Sequence, residues 1–417
     1  MINESLDRAL SRWGVELHFL LACCRFSPSD REIETIRDLS REVVDWERFL
    51  ALVRRHRVHP VVYRNVYRYT REYVPEPVVQ TLKARFQENL LATLRLSAEL
   101  TRVSQLLEKS GIPALCLKGP VLSFRLFGDV AWRHYGDVDI LIGFAELNQA
   151  DQILMAAGYR QVSPGFDLAK FTPRARNHVR INNKHLEYKH QKLGTMIELH
   201  WNPFRNMAPS LMAENTRRFF DACVFIPVGG VPIRSLTDEE MMLHLCEHGA
   251  EHAWFRLKWL WDISELVGRL EGINWKTLMD TAAARDLSRS VTMSLWLAHR
   301  LFGSCMPQPV ASTFKRDPFL PELMDFFIQA MDKPEAAFTV RGSWNEVWLT
   351  FNRMRLKRNP QSKWALFKGL WFQIRDFRDF SLPDGLFPIY PLLRPFLWFK
   401  RYHLSRNVSH KTKDVRR

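Results

Sequence analysis

Apolar residues recur at helical spacing through the first 110 positions. Val15, Leu17, Leu20 and Leu21 form one face near the start. Asp45-Trp46 opens a second helix, whose Leu52 and Val53 continue an apolar stripe toward His56 and Val58. From Pro77 to Lys109 the positions Val78, Leu82, Phe86, Leu90, Leu94 and Leu100 predict one long helix, with Pro77 at its first turn and Gly111 ending it. The period then changes. Ala114–Leu117 and Val138–Ile142 are short apolar runs that predict buried strands, and a helix is expected between about Glu146 and Ala157. Residues 185–191 and 195–201 alternate, and Lys192-Leu193-Gly194 between them suits a hairpin loop. Thr237-x-x-Glu240 predicts a capping box, after which helical periodicity returns.

This pattern predicts an α+β chain, with a small mixed-sheet module inserted between helical regions. The expected divisions are an N-terminal helical region over 1–110, the α/β module over 111–235, a helical region completing a cleft over 236–340, and a C-terminal region over 341–417. The 417 residues suffice for more than one hydrophobic core.

Charge singles out the last division. Of the net +15, most lies in residues 341–417, where 17 Lys/Arg face 5 Asp/Glu. A uniformly basic nucleic-acid-binding chain is therefore not indicated. Trp364, Trp371, Phe372, Phe377, Phe396 and Phe399 lie among those cations, so the region is expected either to be a helical domain with an aromatic core and a solvated basic face or to meet an anionic membrane surface or a nucleic acid. From Ser405 onward a loose basic tail is expected. Leu386–Phe399 spans 14 residues and contains three prolines and Arg394, too short and too broken to cross a bilayer. The six cysteines show no C-x-x-C spacing and read as buried thiols. With an acidic start and no leader-like segment, a cytoplasmic protein is expected, peripheral at the inner membrane face if the C-terminus binds lipid.

Chemistry concentrates in the module. Asp137 and Asp139 are two apart at the start of a strand, so they project to one side. Their mutual repulsion is relieved by a hard divalent cation such as Mg²⁺, with Mn²⁺ as an alternative. Glu198 alternates with Ile197 and Leu199 on another strand and supplies a third acid. Three such acids suit two metals roughly 4 Å apart that clamp an in-line phosphoryl displacement. Glu198 would complete the second metal site and help deprotonate the attacking hydroxyl. Lys118 and Gly119 offer a point charge and close backbone approach to phosphate, Arg133 a guanidinium fork, and His134 a weaker contact of the same kind. His200 shares a face with Glu198.

Leu117-Lys118-Gly119, Gly128-Asp129-x-x-x-Arg133, Asp137-Val-Asp139-Ile-Leu-Ile, Gly158-Tyr159 and Ile197-Glu198-Leu-His200-Trp201 together resemble the uncharacterised bacterial nucleotidyltransferase family. That family belongs to the DNA polymerase beta-like nucleotidyltransferase superfamily. Asp45-Trp46, His56-x-Val58, His248-x-x-x-His252 and Trp259-Leu-x-Asp262 extend the resemblance over about residues 10–300. It implies a minimal nucleotidyltransferase fold, a divalent metal on Asp137, Asp139 and Glu198, and NMP transfer from an NTP to an acceptor hydroxyl or phosphate with release of pyrophosphate. Pro120 departs from the Gly-Ser or Gly-Gly usual after the loop glycine, and the Gly119–Asp137 spacing is longer than usual. The alternative function is a non-catalytic binding or scaffold protein that keeps this fold. Kinase chemistry is disfavoured by the lack of G-x-x-x-x-G-K-[ST] and H-R-D motifs.

His244, His248 and His252 share a helical face, but no third-ligand pattern completes a zinc site. His248 and His252 are instead expected to line the cleft. Asp262 is expected to pair with Arg256 or Lys258.

Overall fold

The computed structural model describes residues 10–163, 170–204, 216–269, 272–333, 344–372, 374–397 and 399–400. The acidic N-terminal segment, Trp398 and the basic tail from Ser405 lie outside the described residues. An N-terminal layer carries α1 (Val15–Cys23), α2 (Asp30–Glu42), α3 (Trp46–His56), α4 (His59–Asn65) and the long α5 (Glu76–Lys109). Asp45 caps α3 by accepting from the Arg48 backbone N–H at 2.8 Å, which satisfies one of the first-turn donors that a helix leaves open.

The middle of the chain runs β1 (Leu115–Cys116), α6 (Pro120–Phe127), β2 (Val138–Leu141), α7 (Leu147–Ala156), β3 (Tyr159–Ser163), α8 (Pro173–Asn182), β4 (His185–His190), β5 (Met196–His200), β6 (Val224–Val228) and β7 (Val231–Ser235). These strands form one mixed sheet in the order β3-β4-β5-β2-β1-β7-β6. Both the expected β4–β5 hairpin and the strand at Val138 are present. The β6–β7 hairpin is an addition to the sequence reading. Its signal is Gly229-Gly230, with φ of 59° and 82°, between two alternating runs, which suits a turn that needs left-handed backbone.

Helices α9 (Asp238–Glu251), α10 (Leu257–Arg269), α11 (Trp275–Ala284), α12 (Ser288–Phe302), α13 (Gln308–Arg316) and α14 (Phe319–Asp332) follow, then α15 (Trp344–Leu356) and α16 (Pro360–Trp371). The Thr237 side chain caps α9 by accepting from the Glu240 N–H. The reciprocal arm of the expected capping box is not made. The Glu240 carboxylate is taken instead by Arg285, at 2.5 and 2.6 Å, and by Arg218 at 2.5 Å.

Two apolar cores flank the sheet. One joins α1–α4 to the later helices through Leu117, Leu141, Trp254 and Trp261. The other packs Leu100, Val103 and Leu107 of α5 against Val138, Ile140 and Ile197, and takes in Phe377, Phe387 and Tyr390 from the C-terminal region. Aromatics there divide: Phe377 is buried, whereas Trp364, Trp371, Phe396 and Phe399 are exposed. No helix of the described residues is long and apolar enough to cross a membrane. Four of the cysteines are buried, while Cys223 is half-buried and Cys305 exposed, unlike the uniform burial expected.

Candidate active site

Parallel pairing of β2 with β5 sets Asp139 directly beside Glu198, so their side chains leave the same face of the sheet. Asp137 lies two residues earlier. On the other side of β2, antiparallel β1 delivers Lys118: the Leu117 N–H donates to the Asp139 carbonyl at 3.0 Å. The Lys118 ammonium then donates to both carboxylate oxygens of Asp139, at 2.5 and 2.6 Å, with Lys118 9% and Asp139 0% exposed. His200 Nε2 lies 3.2 Å from both Asp139 Oδ1 and Glu198 Oε2 and so joins the two acids. His185 of β4 pairs opposite His200, and its Nδ1 lies 3.7 Å from Glu198 Oε2.

These contacts decide the charges. Burial raises the Asp139 carboxyl, but Lys118 and His200 outweigh it and hold the group well below the usual carboxylate range. Burial likewise opposes ionisation of Glu198, yet His185 and His200 bring it down to about 2. Asp137 differs: burial pushes its carboxyl up, and Asp139 and Glu198 add to the rise against Lys118. Burial would lower Lys118 and His200, but the facing acids raise both.

A divalent cation fits this donor set. One ammonium already sits on Asp139 as a cation would, and Asp137 remains short of positive charge. The Nδ1 atoms of His185 and His200 are buried with no hydrogen-bond partner among the described residues. Ligand atoms of His185, Glu198 and His200 all lie within 4.8 Å of one another. Hard oxygen donors suit Mg²⁺ or Mn²⁺, and imidazoles shift the preference toward the transition ion. His185 was missed in the sequence. Its signal was the hairpin register, which puts it opposite His200.

Gly119 has φ 68° and ψ −124°, a backbone state that side-chain-bearing residues rarely adopt. A Cβ there would lie 3.6 Å from the Asp137 carbonyl, so the loop passes directly by the acids. Pro120 occupies the first turn of α6, where its missing N–H costs no helical hydrogen bond.

Arg133 is placed otherwise than expected. Its Nε and Nη2 donate to the two Asp262 oxygens at 2.8 and 2.9 Å, with both residues buried. The fork is therefore occupied, and it ties the segment before β2 to α10. This also corrects the pairing expected for Asp262 with Arg256 or Lys258. His134 Nδ1 lies 3.0 Å from Asn89 Oδ1, and burial together with Lys258 pushes the imidazole down to about 2. Its ring braces the segment before β2 against α5.

Lys258 is a cation that sequence reasoning gave only to an ion pair. It is 7% exposed, donates to the His134 carbonyl at 3.0 Å, and acts electrostatically on Asp137. Burial and Arg133 hold its ammonium well below the usual range, so an incoming anion would be favoured there.

Helix α9 carries His244 and His248, with His252 at its C-cap, and Lys118 and Asp139 act electrostatically on His244. His244 Nδ1 meets the Pro203 carbonyl at 2.9 Å. Ala253 and Trp254, with φ of 52° and 45°, turn the chain back after α9, and Gly249 leaves room for the Trp254 ring. The Trp259 ring thereby stacks on His252, with centroids 5.0 Å apart, and meets His248 edge-on. Glu251 supplies the third group that spacing alone had not suggested: ligand atoms of His248, Glu251 and His252 lie within 4.8 Å of one another. Glu251, however, accepts from the Lys184 ammonium at 2.7 Å.

A family model described as uncharacterised nucleotidyltransferase matches residues 42–303. Among solved structures, the antibiotic-resistance factor ANT(2'')-Ia matches at 13% identity with a TM-score of 0.32, over 46% of this chain and 94% of that one. An antigenic nucleotidyltransferase-like protein from Paracoccidioides brasiliensis matches at 16% identity and TM-score 0.30, over 47% and 92% of the two chains. No curated protein matches the chain.

Proposed function

Since the chain belongs to the uncharacterised nucleotidyltransferase family, we propose that it transfers NMP from an NTP to an acceptor hydroxyl or phosphate and releases pyrophosphate. The observation that carries this reading is the convergence of Asp137, Asp139 and Glu198 on one side of paired strands, with Lys118 beside them. Asp137, Asp139 and Glu198 would hold Mg²⁺ or Mn²⁺, which when bound draws negative charge off the triphosphate oxygens.

The remaining work falls to the chain itself. Gly119 lets the loop approach phosphate without a side chain intervening. Lys118 supplies positive charge beside the acids, on Asp139. Arg133 acts as a positioning residue, because its pair with Asp262 fixes the segment that ends in Asp137. His200 orients Asp139 and Glu198 together.

Glu198, on the strand paired beside Asp139, would help deprotonate the attacking hydroxyl. The His248–His252–Trp259 cluster suits the wall of a nucleobase or acceptor pocket, since stacked rings accept a flat apolar face.

Each of the four NTPs, α-labelled, incubated with Mg²⁺ or Mn²⁺ and fractionated cellular acceptors, tests the proposal. Metal-dependent label transfer with pyrophosphate release is expected, falling at least about a hundredfold in Glu198→Gln. No transfer above the Glu198→Gln level with any NTP and any fraction would favour a binding protein that retains the fold.

A further inference from the structure

A second concentration of charge shares no residue with the acid site. Where α12, the α13–α14 turn and the α15–α16 turn meet, a cavity of about 310 Å³ is lined by Arg289, Arg316, Arg355, Arg358 and Lys363. Five cations thus face one lining carboxylate, Asp317. That carboxylate is already committed. Asp317 is 3% exposed and accepts from Arg289 at 2.7 and 3.1 Å and from Arg358 at 2.7 Å. Arg355 pairs outward with Glu322 at 2.5 Å. Arg316 and Lys363 form no ion pair with another described residue. Like charges gathered around one cavity repel unless an anion enters it.

The lining has shape as well as charge. The Arg289 guanidinium lies over the Phe319 ring, 4.8 Å from its centroid, which fixes the plane of the fork. Phe319 is 48% exposed at the rim. Guanidinium groups match phosphate oxygens in pairs, whereas a lone carboxylate would satisfy few of these donors.

We propose that this cavity binds a phosphate-bearing polyanion, with Arg316 and Lys363 supplying charge that no described residue pairs with. Two sources share that chemistry: a free polyphosphate or the phosphomonoester headgroup of an anionic lipid. The lipid source is worth an arm of the test because α16 leaves the cavity with Trp364, Phe367 and Trp371 exposed.

The full chain is titrated calorimetrically with inorganic tripolyphosphate in the presence of EDTA, and sedimented with phosphatidylcholine vesicles with and without phosphatidic acid. Removing two charge-assisted contacts should weaken binding at least about tenfold in Arg316→Ala/Lys363→Ala. Lys363→Glu serves as a second variant, and Asp137→Asn should bind as the wild type does. Tripolyphosphate binding with this pattern supports a soluble ligand. Binding only to phosphatidic acid vesicles, lost in the cavity variants, supports the headgroup. Binding unchanged in both cavity variants, lost in Asp137→Asn, or absent from both probes overturns the proposal. None of these outcomes depends on nucleotidyl transfer.

Discussion

Arg133 and Asp262 face each other through two parallel N–H···O bonds of 2.8 and 2.9 Å, with the arginine side chain 2% exposed and the aspartate fully buried. They are 129 positions apart and join the segment before β2 to α10. Truncating one partner of such a pair leaves the other charge in the core. Asp262→Ala should therefore destabilise by about 3–5 kcal/mol. Arg133→Lys should also weaken the fold, because an ammonium cannot reproduce the planar fork. Arg133→Met/Asp262→Leu should recover much of the Asp262→Ala loss. Denaturant unfolding of the wild type and these three variants checks this, and a double variant no more stable than Asp262→Ala would contradict it.

Gly119 carries a second structural prediction. A Cβ at this position meets no atom closer than 3.6 Å, so the cost of Gly119→Ala comes from φ 68° and not from a clash. A loss of about 1–3 kcal/mol is expected. Pro120→Ala should change stability little, since the residue sits where a helix has no backbone partner to lose. Thermal unfolding of both variants separates the backbone requirement from the proline.

Buried imidazoles set the expected pH response. Burial pushes His59 and His178 down to about 4 and His244 to about 3, and it holds His56 and His248 well below their ordinary 6.5. Each is neutral when folded and takes up its proton more readily when unfolded. Their contribution is fully present above pH 6.5 and is lost as pH falls from there toward the folded values. Each can contribute at most about 1.4 kcal/mol per pH unit. His200, raised by Asp139 and Glu198, works in the opposite sense: its contribution is complete below 6.5 and fades as pH rises through its folded value. His134 and His185 are lowered as well, so seven groups outweigh one, and the melting temperature should fall steeply between pH 6.5 and pH 4. A flat profile over that window would contradict the burial of these rings as neutral groups.

Much of the architecture was legible because it follows from period. The change from helical spacing to short apolar runs at Ala114 marks the sheet, and alternation in β5 puts Glu198 and His200 on one face. The acid trio was legible for the same reason. Partners across long sequence separations were not. Nothing near Arg133 points to Asp262, and nothing near Lys258 shows that it reaches the His134 carbonyl. Helical spacing put Glu251 off the histidine face, yet its side chain reaches His248 and His252. The Gly229-Gly230 hairpin had a local signal, two glycines between alternating runs, that the reading passed over.

We propose that Asp137 and Asp139 make a metal-dependent nucleotide site. Calorimetric titration of the wild type and of Asp137→Asn/Asp139→Asn with ATP, GTP, CTP and UTP, each with Mg²⁺ and each with EDTA, tests this. At least one NTP should bind only with the metal, and that binding should disappear in the folded double variant. Equal NTP binding by the double variant, or no binding by the folded wild type, would contradict it.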